Sequence, residues 1–149
     1  MLQLRHSSDA DYEYFRQLQH LVYKDMVLRQ FGNWEQSVQD GFFAKSWKEA
    51  RRDFIVWNGE ACGFCRIDEK PTCLQLMEFG IDPAQQGRGI GSRFLALFKD
   101  MAFAKGKHAQ LNVMKTNPRA LALYERCGFS VYGETPIHLL MRSEFHGKG

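Results

Sequence analysis

Residues 81 to 98 read IDPAQQGRGIGSRFLALF, with Gly87, Gly89 and Gly91 on alternate positions between a strand-like run and an apolar, helix-like one. A helix leaves its first N–H groups unpaired and carries a partial positive charge at that end, so an anion placed there is bound without a cationic side chain. Glycines let the backbone turn its amides inward and let a ligand come close. Gln86, Gly87, Arg88, Gly89, Ile90, Gly91 and Ser92 therefore form a candidate phosphate cradle, in which Ser92 adds a hydroxyl and Arg88 a charge at the rim.

Two familiar phosphate motifs are excluded by the same residues. A Walker A loop needs a Lys before Ser92, and Gly91 stands there. The dinucleotide fingerprint G-x-G-x-x-G, started at Gly87, needs a third glycine where the chain has Ser92. It should also follow the first strand of a β-α-β series, whereas this turn follows a run of hairpins. Spacing alone leaves an anion such as a pyrophosphate.

Upstream, DFIVW and EACGFCRI flank Asn58-Gly59, a pair suited to a two-residue hairpin turn because both central positions need positive φ. DEKP (68–71) marks a second turn, and TCLQLMEFGID follows as a strand with Leu74, Leu76, Glu78 and Gly80 on one face. Downstream, Phe94, Phe98, Met101 and Lys105 share one helical face that stops at Gly106. AQLNVM reads as a strand; in NPRALALYERCGF, Asn117 caps a helix, Pro118 suits its first position and Gly128 its exit. FSVYGE and IHLLMRSEF close the pattern as strands. At the other end, LQLRH opens as a strand, Ser8 with Asp11 resembles a capping box, and Phe15, Leu18 and Val22 share a helical face. The stretch 22–50 predicts one or two further helical pieces, broken at Gly32 and again at Gly41.

This order predicts an α/β fold: a mixed, partly antiparallel central sheet of six to seven strands with helices on both faces. The strand-helix-strand unit from 73 to 114 is expected as a right-handed crossover with parallel strands. A length of 149 residues, 44% of them hydrophobic, suits one domain over 1–149. Twenty Lys and Arg against seventeen Asp and Glu are scattered, without the basic stripe of a nucleic-acid partner. The first residues lack the apolar run of a signal peptide, and no stretch of about 18 apolar residues occurs, so a soluble, cytoplasmic protein off the membrane is expected. Four cysteines are too few and too uneven for a disulfide framework. Cys62 and Cys65 match C-x-x-C, but in a strand they point to opposite faces, so reduced structural thiols and no metal are expected.

QGRGIG, Gln86 to Gly91, resembles the Q/R-x-x-G-x-G/A signature of the GNAT superfamily of N-acetyltransferases. NPRALALYERCGF resembles the same family's N-x-x-A-x-x-x-Y-x-x-x-G-F segment, with Asn117, Tyr124, Gly128 and Phe129 in step. Spacing and strand order agree with that fold over nearly the whole chain; the unmatched region is about 23–47, where such enzymes vary with substrate. The resemblance implies acetyl-CoA as cosubstrate, its pyrophosphate in the cradle and its pantetheine arm along the backbone of Phe79, Gly80 and Ile81 and near Asn117. One of those backbone N–H groups would serve the oxyanion.

An alkyl amine with a pKa of about 10 is protonated at neutral pH, which costs a nucleophile roughly 4 kcal/mol, so a base or water relay is required. Glu78, on the strand that feeds the cradle, is the candidate, and the resemblance implies this role through water. Its alternative is a strand carboxylate paired with a neighbouring cation, and His138 is a second candidate base. Tyr124 reads from its helix as a core aromatic; the resemblance implies the general acid that protonates the leaving sulfur. Direct attack in a ternary complex follows, since no Cys has an adjacent base in sequence. A non-catalytic acyl-CoA sensor is the alternative of another class. Tyr23, Met26, Phe31, Trp34, Phe42, Phe43 and Trp47, with Asp25, Glu35 and Asp40 to meet a cation, point to a small-molecule or peptide amine as acceptor and not a nucleic acid. Nothing in the sequence marks the oligomeric state, a homodimer included.

Overall fold

The computed structural model describes residues 1–147. Seven strands and four α-helices follow in the order β1 (Leu2–His6), α1 (Tyr12–Phe31), α2 (Gln36–Glu49), β2 (Asp53–Trp57), β3 (Glu60–Glu69), β4 (Cys73–Ile81), α3 (Ile90–Ala104), β5 (His108–Met114), α4 (Pro118–Arg126), β6 (Ser130–Glu134) and β7 (His138–Ser143). The sheet order is β1-β2-β3-β4-β5-β7-β6. It is mostly antiparallel, with β4 and β5 parallel as the crossover requires. Their ladder pairs Cys73–Leu76 with His108–Leu111; residues 77 to 81 of β4 take no part in it.

The chain forms two compact units, one of Met1–Arg66 with Glu78–Ile90, the other of Ile67–Met77 with the chain from Gly91 onward. In the first, Phe15 and Leu18 of α1 and Phe43 and Trp47 of α2 pack on Phe54, Val56 and Phe64 of the sheet. Each such side chain contributes roughly 1.5–3 kcal/mol when removed from water, so this aromatic layer sets α1 on β2 and β3. The hairpin turn forms as its dipeptide requires, with Asn58 at φ 51° and Gly59 at φ 84°. In the second unit, the rings of Phe94 and Phe98 lie parallel, as do those of Phe98 and Phe129, each pair 6.4 Å apart.

Four local expectations are corrected. Tyr23 to Phe31 is not a separate piece but the second half of α1, which ends at Gly32 in the left-handed conformation, its N–H bonded to Leu28 O at 2.9 Å. Gly41 breaks nothing: it lies inside α2 with open space around it, and one glycine costs a helix only about 1 kcal/mol. The turn placed at 68–71 comes later, because Asp68 and Glu69 still belong to β3 and Lys70 N–H bonds to Cys73 O. In α3, Leu95 and Ala102 join Phe94 and Phe98 in the core, while Lys105 falls outside the helix and pairs with Glu69 at 2.8 Å.

Cys62 is the extra residue of a β-bulge, since Ile55 pairs with Gly63 and Val56 with Ala61. Its thiol bonds to Ile55 O at 3.3 Å; Cys62 and Cys65 are free, buried and raised in pKa by that burial. Among the described residues no group of His, Cys, Asp or Glu could hold a metal, and no helix is long and apolar enough to cross a membrane.

Candidate active site

Glu78 stands near the C-terminal end of β4, half-buried, with 23% of its side chain exposed. The Tyr23 hydroxyl of α1 donates to Glu78 Oε2 at 2.6 Å and accepts the N–H of Phe79 at 3.2 Å. Tyr23 is therefore held protonated: burial first, then the Glu78 charge, raises its pKa well above that of a free phenol. On the other oxygen, Glu78 Oε1 lies 3.7 Å from Nη2 of Arg52, whose side chain is wholly buried. Burial lowers the Arg52 pKa, and Glu78 opposes that effect.

The neighbouring backbone is thus partly engaged. Phe79 N–H, one of the amides the resemblance assigned to the ligand, is already taken by Tyr23. Ile81 O accepts from the side-chain amide of the exposed Gln86 at 3.0 Å, so that side chain braces the turn. Gly80 is packed tightly against Phe64 and Val22.

The turn itself is built by successive local devices. Asp82 accepts from Ala84 N–H at 3.0 Å, a single 3₁₀ turn spans Pro83–Gln85, and Gly87 (φ 84°) and Gly89 (φ 75°) adopt the left-handed region that a side chain disfavours. Nothing lies within 4 Å of where a Cβ would stand on either glycine. Arg88 is exposed, Ile90 is buried and anchors the start of α3, and Gly91 and the exposed Ser92 occupy its first turn. Two left-handed glycines, with open space at each, thus stand ahead of the 15-residue helix α3.

In the second unit, Asn117 Oδ1 accepts Ala120 N–H at 3.2 Å as the cap of α4. Tyr124, on that helix, is half-buried, sets its ring edge-on to Phe129, and makes no hydrogen bond through its hydroxyl among the described residues. Burial, with a smaller contribution from Cys127, pushes its pKa up to about 12. His138 is tied into its own turn, its N–H bonded to Thr135 Oγ1 at 2.9 Å.

The chain matches the acetyltransferase (GNAT) family over residues 10–129. It belongs to that family. As a GNAT chain it has relatives with stated acceptors: N-alpha-acetyltransferase RimI of Mycobacterium tuberculosis is 42% identical over 72 residues, 48% of this chain and 44% of that protein. The spermine/spermidine N(1)-acetyltransferase of Bacillus subtilis is 32% identical over 90 residues, 54% of this chain and 59% of the other. The chain spans about half the length of the curated relatives it matches. Among solved structures, the PaiA N-acetyltransferase of Thermoplasma acidophilum, in complex with coenzyme A, shares the fold with a TM-score of 0.78 at 14% identity, over 97% of this chain and 99% of that one.

The GNAT motifs pointed to Glu78, the glycine turn, Asn117 and Tyr124, but not to Arg52. The one trace of Arg52 in the sequence is indirect: Gln19 stands four residues after Phe15 on the apolar stripe of α1, and it is buried because it accepts from Arg52 Nε at 2.9 Å. Of the acidic residues expected to meet a cation, Asp40 is already engaged. Its carboxylate accepts from Arg16 and His20 at 2.8 Å each and from Gln36 at 3.0 Å.

Proposed function

We propose that residues 1–149 act as one acetyltransferase domain that moves an acetyl group from acetyl-CoA to a primary amine by direct attack, without an acyl-enzyme. The observation that carries this reading is the open, left-handed glycine turn of Gly87 and Gly89 at the head of α3, in a chain of the GNAT family. Gln86 to Ser92 would hold the diphosphate through backbone amides, with Arg88 at the rim, and Asn117 and the backbone of Gly80 and Ile81 would hold the pantetheine arm. Bound there, the cosubstrate supplies an activated thioester.

The chain's own groups supply the proton chemistry. Glu78 takes the ammonium proton through water. The unpartnered Tyr124 hydroxyl is the donor to the departing sulfur, and its raised pKa keeps the proton in place until then. The acceptor is a small-molecule or peptide amine, a class supported by relatives named for a polyamine and for an α-amino group.

Thermal shift tests the cosubstrate: CoA and acetyl-CoA at about 100 times their Kd should stabilise the protein by about 2.7 kcal/mol, and NAD and ATP should not. Turnover with polyamines, amino acids and peptide N-termini then identifies the acceptor. Absence of any shift with either CoA species removes the assignment.

A further inference from the structure

We infer that Arg52 and Tyr23 are the positioning residues of Glu78: the buried guanidinium fixes its charge and the phenol fixes its aim. The inference rests on the reading of Glu78 as the base and adds the two groups that make it one.

Arg52 is held on every nitrogen by a neutral acceptor. Nε donates to Gln19 Oε1 at 2.9 Å, Nη1 to Ala50 O at 3.4 Å and Nη2 to Ser46 Oγ at 3.0 Å, and the guanidinium lies over the Phe43 ring at 5.0 Å. These three contacts give each nitrogen an acceptor but bring no negative charge to the guanidinium. A buried charge is tolerated only when it is paired. Among the described residues the one carboxylate within 4 Å of it is Glu78. At 3.7 Å the pair lies beyond hydrogen-bond length, so Arg52 acts on Glu78 through charge. Directional control comes from Tyr23, whose proton has Oε2 at 2.6 Å as its near acceptor and Phe79 O at 3.5 Å as a weaker one, while its oxygen accepts Phe79 N–H, which holds the hydroxyl against the carboxylate.

The other charged groups around the pair are Arg66 of β3 and Glu49 of α2. Arg66 Nη1 reaches Ser46 Oγ at 3.2 Å and Glu49 at 3.5 Å, so this second buried cation has its own carboxylate and leaves Glu78 to Arg52.

The test separates charge from aim by kinetics. Arg52→Met should lower kcat about tenfold or more with the acetyl-CoA KM nearly unchanged, and Arg52→Lys, which keeps the positive charge, should recover part of that loss. Tyr23→Phe should lower kcat about tenfold or more with the acetyl-CoA KM nearly unchanged, as misplacement of a base does. An unchanged kcat in folded Arg52→Met, or a loss in Arg52→Lys as large as that in Arg52→Met, overturns the assignment of charge; an unchanged kcat in Tyr23→Phe overturns that of aim. An unchanged kcat in Glu78→Gln sinks Glu78 as the base and this inference with it, whereas a loss in Glu78→Gln alone sinks only the inference.

Discussion

A Cβ placed on Gly63 would stand 2.4 Å from the carbonyl oxygen of Gly80. The reverse side of the same contact is as tight, since a Cβ on Gly80 would meet Phe64 and Val22 at 2.7 Å each. Val22 precedes Tyr23 on α1, so this close packing is what brings the Tyr23 hydroxyl to Glu78. Gly80→Ala is therefore expected to cost about 1–3 kcal/mol and to lower kcat with it, and Gly63→Ala to cost at least as much because backbone must yield. Gly41→Ala is the contrasting case: helical, with open space around it, it should gain about 0.5–1 kcal/mol. Urea denaturation ranks the three, and a neutral Gly80→Ala would mean that β4 is free to shift.

Gly87 and Gly89 obey a different rule, because the obstacle there is the backbone angle and not space. An alanine in the left-handed region carries about 1–2 kcal/mol of strain. An exposed turn escapes that strain by relaxing, so the cost is expected to appear on binding, when the amides must converge again. Each alanine variant should keep its melting temperature and lose about tenfold in CoA affinity by calorimetry. An unaltered affinity would show that the turn does not need these angles to hold the ligand.

The fold was legible where local chemistry and tertiary packing agree. Asn58-Gly59, Asn117-Pro118 and Gly32 each did what their backbone preferences dictate, and the parallel pair of β4 and β5 followed from the crossover. Gly41 misled because a helix with packed aromatics, Phe43 and Trp47, tolerates one glycine. The site was legible only as far as contiguous motifs reach. Glu78 and Tyr124 sit at fixed steps from glycines that the chain displays, whereas Arg52 acts on Glu78 from 26 residues away in sequence, and charge compensation in a core has no spacing rule. The engagement of Asp40 by Arg16 and His20 was hidden for a similar reason: these partners lie a full helix earlier.

Tyr124 offers a clean separation of chemistry from stability. Its hydroxyl has no hydrogen bond to lose among the described residues, so Tyr124→Phe should leave the denaturation midpoint nearly unchanged while lowering kcat about 10²–10⁴-fold. With its pKa pushed up to about 12, the group stays protonated through the working range, and any fall in rate on the alkaline side below that must come from another group. A pH-rate profile of the wild type and a single-point comparison of the variant check both statements; an unchanged kcat would return Tyr124 to a packing role.

Asp40 makes the corresponding prediction for stability. Hydrogen bonds from His20 first, then Gln36 and Arg16, hold its pKa at about 2, below the value of about 3.9 expected in the unfolded chain. A carboxyl depressed on folding contributes stability that is fully present above the unfolded value and is lost as the pH falls through the folded one. Asp40→Asn should therefore melt below the wild type at neutral pH, with the gap closing between about pH 4 and 2. Three donors of α1 and α2 already converge on Oδ1, so the same variant should leave the amine KM unchanged. A gap that is constant with pH would detach Asp40 from the tie between the two helices, and a raised amine KM would restore it to the acceptor site.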